Sequence, residues 1–271
     1  MTVSGPIWSV VARTRKTTRS VPAMSSVLFR HVKVFDGSGL APFAGSVLTN
    51  GETIQAVAHD GEVLPAPGAF VVEGRGGFLL PGLVEAHAHL TFPSSVGPIF
   101  SKGLDLPPED HLLVAAHNAR VLLDHGFTSA YSAGPRGQRF EVALRDEIDV
   151  GYLPGLRLRA SPQETGGSMA LGLPPSHDTR RHPRTVAGLK DYVSSMAQCG
   201  VDSIKFELSG NDVDAPGGSS RVLFSEAEVA AISAQAAESG GLALLPCAGR
   251  GQQQAGSAAR VSRAVPLHVG G

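Results

Sequence analysis

Leu79-Leu80-Pro81-Gly82-Leu83-Val84-Glu85-Ala86-His87-Ala88-His89-Leu90 decides how the rest of the chain is read. An apolar run enters, a Pro-Gly pair punctuates it, and two histidines leave it two residues apart. In an extended chain, side chains alternate between faces with period two. His87 and His89 therefore share one face at the end of a strand, which is how two imidazoles reach one metal ion. A His-x-His spacing is weak by itself in a chain with ten histidines. Its context strengthens it: a buried strand before it and a Pro- and Ser-rich loop after it.

Working outward toward the N-terminus, residues 26–35 (SVLFRHVKVF) are β-branched and aromatic and read as a strand. Residues 46–48 and 53–57 flank Asn50-Gly51, a hairpin-turn signal, and 69–73 form a further short strand. Residues 26–78 are thus a small β-sandwich-like domain, with His31 and His59 at its surface. Residues 1–25 hold Arg13, Arg15, Lys16 and Arg19 and no acid. They read either as a mitochondrial transit-like segment or as sequence upstream of a true start at Met24, and are expected to be disordered.

Toward the C-terminus, strands and helices alternate. A long loop, 91–108, follows the His-x-His strand. Helix 109–125 has Leu112, Leu113, Ala116, Ala119, Leu122 and Leu123 as its apolar face, and Gly126 stops it. His111, His117 and His125 sit at helical spacings and are expected outside the barrel. Strand 127–133, helix 138–150 and strand 155–160 follow. A second long loop, 161–183, carries His177 and His182. Helix 185–199, strand 201–208, a Gly/Ser-rich loop (209–222), helix 225–239 and a strand from 242 complete the pattern. Ser225 and Glu228 form a capping box. Such alternation implies a parallel sheet with helical crossovers. The expected fold is α/β: an incomplete TIM (β/α)8-type barrel of about five βα units over 79–245, whose chemistry lies where the long loops follow the strands. Residues 246–271 lose periodicity and are expected to be a disordered tail.

Composition narrows the function. A net charge of −1 gives no global case for nucleic acid or a membrane surface, and no apolar run has transmembrane length. Two cysteines, far apart, give neither a disulfide framework nor a metal motif. A reducing, cytoplasmic location is the default, mitochondrial if residues 1–24 are a transit peptide. No Gly-x-Gly-x-x-Gly follows a strand, which sets aside a dinucleotide-binding fold.

PGLVEAHAHL after a small β domain and before βα repeats resembles the metal-dependent amidohydrolase superfamily. The branch it is most similar to includes imidazolonepropionase-like and Xaa-Pro dipeptidase-like enzymes. Asn118-Ala119-Arg120 with Gly126-Phe127-Thr128, Arg145-Asp146-Glu147-Ile148 with Pro154-Gly155-Leu156-Arg157, and Gly200-Val201-Asp202-Ser203-Ile204-Lys205 with Ser209-Gly210 extend the likeness in order. The resemblance implies that His87 and His89 bind a divalent metal, most simply one or two zinc ions. It also implies that Lys205 is carboxylated by CO₂ and completes the site, because a carbamate is an anionic two-oxygen ligand where an ammonium repels a cation. The implied reaction is hydrolysis of a non-peptide C–N bond in a small amide or dipeptide-like substrate by metal-activated water. Alternation puts Glu207 on the Lys205 face, and His177 lies in a loop on the catalytic side; both are candidate substrate contacts. A homo-oligomer is compatible with the reading.

The chain also departs from the family. The histidines expected after strands five and six and the aspartate after strand eight have no counterpart, so no catalytic residue is assigned. Residues 245–254 read Leu-Pro-Cys-Ala-Gly-Arg-Gly-Gln-Gln-Gln instead. Leu245-Pro246-Cys247-Ala248 can be encoded so that a one-base shift gives Cys-His-Ala, and Val265-Pro266-Leu267 likewise gives Tyr-His-Cys. The hypothesis is a frameshift after Leu245. Genomic sequence decides it: a shifted frame lacking those histidines removes the idea. The alternative function is therefore a catalytically inactive fragment or interaction module.

Overall fold

The computed structural model describes residues 26–93, 106–163, 185–209 and 222–240, and the backbone of 243–247. The chain divides into two compact units, Met1–Pro81 and Gly82–Gly271. The expected disorder of 1–25 and of most of 246–271 lies outside the described residues, as does His177.

The first unit is a five-stranded sheet. It holds β1 (Val27–Val34), β2 (Phe43–Asn50), β3 (Thr53–His59), β4 (Phe70–Glu73) and β5 (Phe78–Leu79), ordered β3-β2-β1-β4 with β5 also paired to β1. Asn50 pairs with Thr53, so the hairpin turns on Gly51-Glu52, and Gly51 takes the positive φ of 58° that the turn requires. A small core of Val32, Val34 and Val47 holds it together. His31 and His59 are exposed as expected.

The second unit alternates strictly: β6 (Leu83–Ala88), α1 (Pro108–Asp124), β7 (Phe127–Ser132), α2 (Phe140–Asp149), β8 (Arg157–Arg159), α3 (Val186–Gln198), β9 (Ser203–Glu207), α4 (Glu226–Glu238) and β10 (Ala243–Cys247). The strand pairs are parallel. β10 runs through Pro246 and Cys247, two residues into the stretch expected to be tail, with Leu245 opposite Lys205. α4 begins with the full capping box of Ser225 and Glu228.

The strands do not form one ladder. The described residues give a three-stranded sheet, β6-β7-β8, and a two-stranded sheet, β10-β9. The break lies after β8, and Asp202 explains it. Its carboxylate accepts the Ala160 N–H at 2.8 Å and the Arg145 guanidinium at 2.6 Å, taking a backbone donor that a continuing ladder needs. The Asp202 and Ser203 N–H groups still reach Ala160 O, so the two sheets adjoin without merging.

One apolar cluster packs β6–β8 against α1 and α2 through Ala88, Ala115, Ala119, Leu144 and Leu158. A second packs β9 between α3 and α4 through Val193, Met196, Ile204, Phe206 and Ile232. α1 turns the expected face inward at Ala116, Ala119 and Leu122, rotated enough to expose one of its leucines. Leu113 is 70% exposed, while His111, Ala115 and Ala119, spaced four apart, are buried. Small side chains let the helix approach the sheet, and His111 finds a partner there.

Candidate metal centre

Gly82 stands just before β6, where a Cβ would run into the Thr128 side chain on β7. Leu83 N–H donates to Gly126 O at 2.9 Å and fixes the start of β6. From there alternation delivers His87 and His89 to the same side, with ring centroids 5.2 Å apart. His87 is exposed, and His89 is half-buried and stacked on Phe92 at 4.6 Å.

His89 has a defined tautomer. Its Nδ1 lies 2.9 Å from Gly134 O. A carbonyl only accepts, so Nδ1 carries the proton and Nε2 carries the lone pair. Metal-binding imidazoles are oriented in this way, the second ring nitrogen donating to a carbonyl or carboxylate. Gly134 meets this need with φ 117°, a conformation that side chains disfavour, and its own N–H donates to Ser132 Oγ at 3.2 Å.

Lys205 arrives from β9. It is 3% exposed, and its Nζ lies 3.5 Å from His87 Nε2. An ammonium only donates, so His87 Nε2 is the acceptor of this long hydrogen bond. Glu207, 8% exposed, follows two residues on in the same strand, as alternation requires. Thus His87, His89 and Lys205 come together. His177 lies outside the described residues.

These residues fit a metal on one condition. The described residues contain no group of three or more His, Cys, Asp or Glu able to hold an ion. Two imidazoles and an ammonium are not a complete donor set; two imidazoles and a lysine carbamate are.

Several groups that the sequence reading passed over hold the pair in place. Residues 88–92 form the turn after β6, and other elements bind its backbone at almost every step. Ala133 N–H donates to Ala88 O, and Phe92 N–H to His89 O. Asn118 Nδ2 on α1 donates to both Leu90 O, at 2.8 Å, and Phe92 O, at 2.9 Å. Arg136 N–H donates to Thr91 Oγ1 at 2.8 Å. His111, expected outside the barrel, is 3% exposed and donates from Nδ1 to Thr91 O at 2.9 Å. His117 and His125 are exposed on α1 and just after it, as expected. Behind the turn lies Glu141, wholly buried at the start of α2. Burial pushes its pKa up to about 8, against the opposing pull of the Ser132 hydroxyl and the backbone of Ser161 and Leu90.

No family model matches the chain. A 51-residue stretch is 47% identical to an imidazolonepropionase of Rubrobacter xylanophilus, covering 17% of this chain and 12% of that one. A 70-residue stretch is 44% identical to a dihydroorotase of Streptomyces coelicolor, covering 26% and 14%. Among solved structures, an amidohydrolase matches with TM-score 0.66 and 25% identity, over 82% of this chain and 56% of that one. A Xaa-Pro dipeptidase with bound methionine matches with TM-score 0.65 and 22% identity, again over 82% and 56%. The chain therefore spans little more than half the length of the structures it resembles. No described helix is long and apolar enough to cross a membrane.

Proposed function

Because the chain is a member of the amidohydrolase superfamily in sequence and in fold, we propose that it carries the metal-binding half of a hydrolase acting on C–N bonds in small amide or dipeptide-like substrates. In this reading His87 and His89 would hold a divalent ion, most simply zinc, and Lys205, once carboxylated by CO₂, would complete the donor set for one or two ions. The bound ion supplies activation of water and polarisation of the scissile carbonyl. The chain's own residues orient the donors. Gly134 O keeps the lone pair of His89 on Nε2, and burial holds Lys205 with its amine beside His87. Glu207 and His177 are the candidate substrate contacts. The strands belong, on this reading, to one wall of a (β/α)8-type barrel, preceded by the β domain of 26–78.

The observation that carries the proposal is the approach of Lys205 Nζ to His87 Nε2, from strands far apart in sequence. The residues present include none matched to the strand-five and strand-six histidines or the strand-eight aspartate. Turnover of an amide by these 271 residues alone is accordingly expected to be weak, and metal binding is the property to test. Zinc content is measured on the full chain after loading with zinc and bicarbonate. The expected result is at least one ion per chain, lost in His87→Ala and dependent on bicarbonate in the native protein but not in Lys205→Ala. Equal zinc content in all three proteins overturns the reading.

A further inference from the structure

The buried carboxyl of Glu141 plays no part in the proposed chemistry, yet three strand ends converge on it. Leu90 follows β6, Ser132 ends β7 and Ser161 follows β8. The backbone of Leu90 and Ser161 and the hydroxyl of Ser132 all lie against the carboxyl. The contacts are loose, none reaching full hydrogen-bond geometry at either oxygen. Ser132 Oγ and Ser161 Oγ are themselves 2.7 Å apart. A carboxyl buried among loose partners is costly to fold, and a core that needed only volume there is better served by an apolar side chain. The cost implies a use.

The connections indicate what that use is. From Glu141 the path runs to Ser132 Oγ, which accepts the Gly134 N–H at 3.2 Å. Gly134 O in turn accepts the His89 Nδ1–H at 2.9 Å. A second, shorter path runs through the backbone of Leu90 to its neighbour His89. We propose that Glu141 is a positioning residue for His89: it ties the ends of β6, β7 and β8 together and thereby fixes the ring and the tautomer that present Nε2. This deepens the metal-site reading and rests on it for the role of His89, though not for the geometry of the tie. At neutral pH the group is largely a carboxylic acid, with one donor and one acceptor as in a glutamine side chain.

The test uses the full chain with two readouts, Co²⁺ affinity and the ring ¹⁵N spectrum of His89. Glu141→Ala is expected to weaken Co²⁺ binding by about 10–100-fold and to turn the single Nδ1–H form of His89 into a mixture. Glu141→Gln is expected to restore both, which a loss of packing alone does not predict for one variant and not the other. Native affinity with a native His89 spectrum in Glu141→Ala overturns the proposal. So does a Glu141→Gln protein as altered as Glu141→Ala. If the native chain binds no Co²⁺, the metal reading fails, but the His89 spectrum still decides the positioning role. If Glu141→Ala does not fold, Glu141→Leu carries the test, keeping volume without a polar group: His89 is expected to lose its single tautomer, and an unchanged Nδ1–H form overturns the proposal.

Discussion

The two halves of the candidate site are held by different forces. At the end of β9, every residue from Ser203 to Ser209 is buried; Ile204 and Phe206 face one way into the α3–α4 core while Lys205 and Glu207 face the other. At the end of β6, by contrast, Leu83 and Val84 are 43% and 49% exposed, and the strand is an edge of its sheet among the described residues. There the turn 88–92 is fixed by hydrogen bonds from Ala133, Asn118, Arg136 and His111. Burial fixes Lys205; directed polar contacts fix His89. The difference sets what each half tolerates. An apolar core loses energy in proportion to volume removed, whereas a polar tie fails when a single donor is lost.

Phe206→Ala breaks the comparison from the apolar side. The ring meets Phe224 edge-to-face at 5.5 Å and Tyr192 at 6.0 Å, and it is 3% exposed. Truncation is expected to cost about 3–5 kcal/mol, read as a fall in the denaturation midpoint. The backbone of β9 should loosen with it and the Lys205–His87 approach should be lost. A cost below about 1 kcal/mol would mean that burial is not what holds Lys205.

The same contrast explains what was legible in the sequence. Apolar periodicity marked every strand and helix of the second unit to within a few residues, and the strand that carries Lys205 and Glu207 is buried as its apolar run implies. The Pro-Gly entry and the His-x-His exit were read directly because each is a local signal. The groups that orient the site were not. Asn118, His111 and Glu141 act on backbone groups distant in sequence, and polar side chains that bind distant backbone have no period of their own. One edge of the apolar face of α1 was misplaced for a related reason. Leu113 outweighs an alanine on any hydropathy count, but close packing on the sheet favours Ala115, and that rotation carries His111 inward. The line His111-Ala115-Ala119, with Asn118 beside it, was the available clue. The split between β8 and β9 had no such clue, since Asp202 looks like any polar residue at a strand start.

Asn118→Ala tests the polar side. Its amide group serves two carbonyls, Leu90 O and Phe92 O, and both lose a donor together. The expected cost is about 2 kcal/mol, from two net hydrogen bonds with partly buried acceptors. It should be accompanied by faster amide exchange across residues 90–92 and little change in β9. Equal acceleration in both regions would show that the two halves are held as one unit and would remove the distinction drawn above.

The finest discrimination comes from pH, because the polar half contains a buried acid whose pKa burial raises. Glu141 titrates near 4.5 when unfolded and at about 8 when folded. Between those values the native state holds a proton that the unfolded state has released. Stability is therefore greatest below 4.5 and declines as pH rises toward 8, by about 1.4 kcal/mol per pH unit at most. Glutamine cannot titrate, so Glu141→Gln should remove this component of the slope and should gain on the native protein steadily across the window. Urea titrations of both proteins at several pH values measure the difference directly. Parallel slopes would mean that Glu141 is already charged in the folded protein, and that the ends of β6, β7 and β8 are joined around a carboxylate, not around a neutral acid.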